Sequence, residues 1–245
     1  MATAILIDGA YFIKRFRAIE PHNVYNAARA ADCVFRWAVA HLSGKPQSNG
    51  PAQASARSAN RHELYRIFFY DCPPLEKKLH NPISKRSVDF SRSQEAVFRQ
   101  ELHQRLLAKR KLALRLGHLS SDVPWTIKPE KITDLLAGRI PFGSLSPEDV
   151  MPAVRQKGVD MRIGVDVASL AFKKQVDQIV LVAGDADFVP AAKLARREGI
   201  DFVLDPMWRR ISQGLMEHID GLRSTCPKPS ALRAAESPAA PVDEA

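Results

Sequence analysis

Four short apolar runs in this chain each close on an aspartate, and the run at 179–190 constrains the fold most. Ile-Val-Leu-Val-Ala-Gly-Asp-Ala-Asp-Phe-Val-Pro opens as an unbroken apolar segment, the pattern of a strand buried on both faces of a parallel sheet. Residues 188–198 then read as a helix, with Pro190 tolerated in its first turn. Asp185 and Asp187 therefore stand at the carboxyl end of a central strand, where open α/β sheets place their ligands. Carboxylates crowded at such a point repel one another unless a cation or a shared proton relieves them.

The same pattern recurs along the chain. Residues 4–9 give a second buried strand, ending in Asp8-Gly9, a dipeptide whose plainest reading is a turn. Residues 24–42 carry apolar side chains at helical spacing, with Asn23 as the expected N-cap and Gly44 as the stop. Strand, turn and helix make the first half of a βαβ unit. Residues 45–60, rich in Ser, Ala, Gly and Pro, are expected to form a flexible surface insertion. Residues 64–71 read as a third strand, 90–111 as an amphipathic helix and 112–117 as a further strand. Residues 120–155 show weak periodicity around a short helix near 131–136, the mark of an excursion from the domain. A helix at 161–173, a strand at 200–205 and a last helix at 208–219 follow. From 224 to 245 a disordered tail is expected, which leaves residues 1–223 as one α/β domain.

Lys and Arg number 36 against 27 Asp and Glu, a formal charge of +9 that suits an anionic partner, nucleic acid first among them. The candidates for phosphate contact are Lys157, Arg105, Lys109, Arg110, Arg209 and Arg210. For the residues at 105–110 the plainer reading is a solvated helix face. Cys33, Cys72 and Cys226 are isolated, without zinc-ligand spacing, which argues against a structural zinc site or a disulfide framework and points to a reducing compartment. No signal-peptide pattern and no membrane-length apolar run occurs, so a soluble cytoplasmic protein with no membrane partner is expected. His62-Glu63 lacks the second His of a zincin helix, and no G-x-S-x-G elbow or Walker A sequence is present.

The acids placed at strand carboxyl ends or adjoining helix starts are Asp8, Asp71, Asp160, Asp185, Asp187 and Asp205. Each has a plainer reading on its own: Asp160 and Asp187 also look like helix N-caps, and Asp185 follows a turn glycine. Together in a doubly wound sheet they are expected to form one acidic pocket that calls for Mg²⁺ or Mn²⁺, which take such oxygen ligands. An acidic, metal-holding pocket in a basic protein suits phosphodiester hydrolysis. Asp166 lies six residues after Asp160, so at about 100° per residue the two point roughly 120° apart and cannot both face one ion. Asp166 is better read as positioning a water or a basic residue.

The order of these motifs resembles the NYN domain, in its LabA-like branch, within the PIN-like nuclease superfamily. The resemblance rests on Ile-Leu-Ile-Asp-Gly at 5–9, Phe-Phe-Tyr-Asp at 68–71 and Gln-Lys-Gly-Val-Asp at 156–160. It continues through Asp166, Leu-Val-Ala-Gly-Asp-Ala-Asp-Phe-Val-Pro at 181–190, and Ser212, Leu215 and Asp220. It implies a PIN-like three-layer α/β/α sandwich with a mainly parallel central sheet. It also implies a metal-dependent ribonuclease site with Asp8, Asp160, Asp185 and Asp187 as metal-holding acids and Asp166 as a recurrent further acid. Two positions depart from the family pattern: Ala183 stands where Ser usually precedes Gly-Asp, and Ala10-Tyr11 follows Asp8-Gly9 where a polar Asn is common.

The leading expectation is a ribonuclease with RNA as partner, self-association being left open. The alternative is a catalytically weak or inactive NYN fold that binds RNA or regulates, for which Ala183 and the tail speak. A small-molecule phosphatase on a similar sheet is a third.

Overall fold

The computed structural model describes residues 1–43 and 62–229; Gly44, the 45–60 stretch and residues 230–245 lie outside them. β1 (Ala2–Asp8) leads into α1 (Gly9–Ile19) and α2 (Ala27–Ala40). β2 (Glu63–Asp71), the pair β3 (Lys78–His80) and β4 (Ser87–Asp89), α3 (Gln94–Leu107) and β5 (Leu112–Leu116) follow. The excursion holds β6 (His118–Leu119), β7 (Trp125–Ile127), α4 (Pro129–Leu136), β8 (Val150–Pro152) and β9 (Gln156–Lys157). The chain then returns through α5 (Val159–Phe172), β10 (Gln178–Val182), α6 (Val189–Arg197), β11 (Asp201–Asp205), α7 (Gln213–Met216) and β12 (Gly221–Leu222).

Six strands form one all-parallel sheet in the order β12-β11-β10-β1-β2-β5. β1 lies in the middle, so its Val/Ile/Leu-type run is buried on both faces, as a central parallel strand requires. Alternate residues serve opposite layers. Ala4 and Leu6 pack with Ile163 and Val167 of α5 and Ala192 and Ala195 of α6, whereas Ile5 and Ile7 pack with Phe12 and Phe16 of α1, Val34 of α2 and Leu102 of α3. The result is the expected α/β/α sandwich. From β1 the chain builds outward through β2 and β5; from β10 it builds the other way through β11 and β12. The topological switch, and with it the crevice at the carboxyl edge, falls between β1 and β10.

Several local expectations change. Asp8-Gly9 is not a turn: Asp8 caps α1, accepting from the Tyr11 amide at 3.1 Å, and the helix begins at Gly9. A Cβ on residue 9 would come within 2.6 Å of the Tyr70 carbonyl oxygen, so only glycine lets α1 leave β1 so close to β2. α2 starts at Ala27 behind Asn26, which accepts from the Arg29 amide at 2.9 Å; Asn23 ends a 3₁₀ turn instead. α5 opens at Val159, two residues early, after Gly158 at φ 79°. The helix expected over 208–219 contracts to α7, because Met207 and Trp208 adopt left-handed backbone, φ 46° and 66°, ahead of it. Residues 224–229, counted with the tail on sequence grounds, pack against the sheet: Cys226 is buried, and the Trp208 indole donates to its carbonyl at 2.8 Å. All three cysteines are buried and unpaired. Among the described residues no helix is long and apolar enough to cross a membrane.

Candidate active site

The acids that sequence patterning gathers at the carboxyl edge divide into two groups. Asp71 and Asp205, at the ends of β2 and β11, are consumed by the fold. Asp71 is fully buried, accepting from Arg99 and paired with His103 Nε2 at 2.8 Å. Asp205 is paired with His41 Nε2 at 2.9 Å and accepts from the Met207 amide at 2.7 Å and from Thr225. Both are closed charge-assisted networks, the form in which a buried carboxylate is tolerated.

Asp8, Asp160, Asp185 and Asp187 differ. Among the described residues Asp185 accepts only from the Asp187 amide at 3.2 Å, and Asp8 chiefly from the Tyr11 amide. None of the four has an ion-pair partner among the described residues. Asp160 is not the N-cap of α5; Gly158 is, which leaves Asp160 in the first turn with its carboxylate exposed. Burial pushes the Asp8 carboxyl up to about 6; the Tyr11 amide opposes this, and the charge of Asp160 adds to it. Asp160 is likewise raised, by partial burial and then by Asp185 and Asp187. Asp160 thus lies close enough to the other three for their charges to repel, and Asp8 and Asp185 line the groove at this edge.

A groove of about 480 Å³ runs along this edge, lined by Asp8, Tyr11, Lys14, Asp185, Arg209 and Arg210 among others. Lys14, Arg209 and Arg210 are exposed and have no acidic partner among the described residues. Carboxylates and cations therefore face one open space without neutralising each other directly. An object with both a positive centre and anionic groups, such as a phosphate accompanied by a divalent cation, satisfies both sets.

As donors to a metal the four acids offer only carboxylate oxygen, the set that Mg²⁺ and Mn²⁺ take. Among the described residues no three His, Cys, Asp or Glu side chains form a ready-made cage. Mg²⁺ is held by one or two carboxylates together with water and substrate phosphate, and the open acid set fits that manner of binding.

The remaining candidates are scattered. Asp166 sits over β2 and β5, accepting from the Tyr70 hydroxyl at 2.8 Å and pairing with Arg115 Nε at 3.3 Å. Arg115 in turn lies over the Phe68 ring. Asp166 thus orients a basic residue, away from the other acids. Lys157 is exposed in β9, just ahead of Asp160. Arg105 pairs with Glu101 at 2.7 Å, and Lys109 with Asp32 at 2.5 Å. Because α3 runs antiparallel to the strands, Arg105, Lys109 and Arg110 lie toward the amino edge of the sheet, away from the groove. Lys14 was missed with its helix; the signal was present in the spacing of Gly9, Phe12, Ile13 and Phe16. Ala183 is fully buried in the core beneath α5 and α6.

Comparison with known proteins gives three findings. An uncharacterized protein of Methanocaldococcus jannaschii is 31% identical over 75 residues; the chain spans 31% of that relative's length, and the match takes up 27% of this chain. A crystal structure of a protein of unknown function from Vibrio parahaemolyticus aligns over 90% of each chain at 17% identity with a TM-score of 0.42. Residues 135–213 match the model of the NYN domain, a stretch that contains Asp160, Asp185, Asp187, Arg209 and Arg210. That match supports an NYN domain over residues 135–213.

Proposed function

We propose that the chain is a metal-dependent ribonuclease of the LabA-like NYN branch, hydrolysing RNA phosphodiesters in the reducing cytoplasm. The observation that carries this reading is the confrontation of unpaired acids with unpaired cations across one groove at the switch between β1 and β10. Asp8, Asp160, Asp185 and Asp187 would hold Mg²⁺ or Mn²⁺. Bound there, such an ion supplies charge neutralisation at the phosphate and a lowered pKa for water. The chain's own contribution is positioning. The cap of Asp8 on α1 and the turn bond from Asp187 to Asp185 fix two carboxylates before substrate arrives, which avoids reorganisation during reaction. Lys14, Arg209 and Arg210 hold the polyanion beside them.

Cleavage of RNA oligonucleotides in Mn²⁺ or Mg²⁺, compared with Asp185→Asn, tests this. The variant is expected to lose about 100-fold or more in rate while still binding RNA. Equal rates for parent and variant overturn the proposal. RNA binding without cleavage, indifferent to EDTA and to loss of Asp8, would replace it with a non-catalytic RNA-binding role.

A further inference from the structure

The basic wall of the groove is carried by a loop that the fold holds in a conformation side chains disfavour. Met207 and Trp208 stand consecutively at φ 46° and 66°, the left-handed region, and neither is glycine. Such backbone persists where its surroundings over-determine it, and it clusters at functional sites. Here the surroundings are explicit. The Met207 amide donates to Asp205 at 2.7 Å, and Arg15 donates to the Met207 carbonyl through Nε at 3.1 Å and Nη2 at 2.7 Å. The Tyr11 hydroxyl donates to the Pro206 carbonyl at 2.6 Å. The Trp208 amide donates to Ser224 Oγ at 3.0 Å.

Tyr11 and Arg15 are one helical turn apart on α1 and so reach the loop from one face, with Lys14 beside them. The other side of Tyr11 meets the acid motif. A Cβ on Gly184 would stand 2.6 Å from the Tyr11 ring, so the ring lies flush against the backbone one residue before Asp185. A single side chain therefore touches both the strand end that presents Asp185 and the loop that presents Arg209 and Arg210.

We propose that Tyr11 is a positioning residue whose hydroxyl, with the Arg15 guanidinium, sets the 206–210 loop so that Arg209, Arg210 and Lys14 form one wall for the RNA phosphates opposite Asp8 and Asp185. The proposal rests on the ribonuclease reading for the identity of the polyanion. The wall acts on binding, before any bond is cut, and is separable from catalysis.

The test is a coupling cycle on the full chain, read as affinity for a labelled single-stranded RNA without divalent metal, over a range of salt. Arg209→Gln/Arg210→Gln is expected to flatten the salt dependence of log K by about 0.7 per lost phosphate contact. Tyr11→Phe keeps the ring and removes the hydroxyl; it is expected to weaken binding about fivefold, the net worth of one hydrogen bond. It should flatten the salt dependence in the same direction and have no further effect in the double-Gln background. In Mn²⁺ its defect in cleavage should appear in KM. Equal losses from Tyr11→Phe in both backgrounds, or no loss in the parent, overturn the proposal even where the parent cleaves RNA. Coupled binding in a parent that never cleaves RNA supports the wall and overturns the nuclease.

Discussion

Replacing Asp8 by Asn tests whether the acidic edge is held against its own electrostatics. The Asp8 carboxyl lies at about 6 in place of the usual 3.8, because burial outweighs the Tyr11 amide and Asp160 adds its charge. That gap corresponds to about 3 kcal/mol against the charged form in the folded state. The sign follows from proton counts. Below the unfolded value of 3.8 both states are protonated and nothing is lost. Between 3.8 and about 6 the folded state keeps a proton that the unfolded state has released, so stability falls as pH rises, and above that window the full cost persists. Asn retains the capping oxygen for the Tyr11 amide and removes the charge. Asp8→Asn is therefore expected to be more stable than the parent above about pH 7 by about 1–3 kcal/mol, a Tm higher by about 3–9 °C. The advantage should vanish in acid. Added Mg²⁺ or Mn²⁺ should raise the Tm of the parent above that window and leave the variant's nearly unchanged. Thermal melts across pH, with and without the ion, are sufficient. A variant less stable than the parent at neutral pH would mean that the fold stabilises this carboxylate, and the account of a self-repelling edge would fail.

Two further outcomes follow from the division of the acids and of the bases. Asp71→Asn strands Arg99 and His103 around a fully buried position and is expected to cost about 3–5 kcal/mol in urea unfolding, the opposite sign from Asp8→Asn. Arg105→Ala and Arg110→Ala, near the amino edge, should leave RNA affinity and its salt dependence within experimental scatter, whereas Arg210→Ala should weaken affinity several-fold; equal effects from both edges would displace the groove as the binding surface.

The strands at 2–8, 178–182 and 201–205 were legible because a strand inside a parallel sheet has little polar face to disguise it, the one at 63–71 because its second half is a buried apolar run, and the edge strand at 112–116 from its alternation. Their order and the switch point were not read from the sequence; they appear only in the strand pairing. α1 was missed although Phe12, Ile13 and Phe16 carry helical spacing: Asp8-Gly9 reads locally as a turn, and its glycine serves an approach to β2 that only the fold reveals. The overlong last helix came from periodicity, which carries no knowledge of the Tyr11 and Arg15 bonds that turn Met207 and Trp208 left-handed. Gathering of acids at one edge was readable from strand ends. Which of them remain free was not, since His103 and Arg99 neutralise Asp71 from across the chain, and His41 does the same for Asp205. The basic run near 105–110 stands toward the amino edge, which charge composition alone does not show.

The central place of β1 has a consequence during translation. It is made well before one of its two neighbours, β10, which is among the later of the described strands. Until then a nascent chain holds Asp8 beside an unfilled strand edge, with Asp160, Asp185 and Asp187 not yet made or not yet docked. An acidic edge divided this way between strands far apart in the sequence stays unassembled until α5 and β10 have docked against β1.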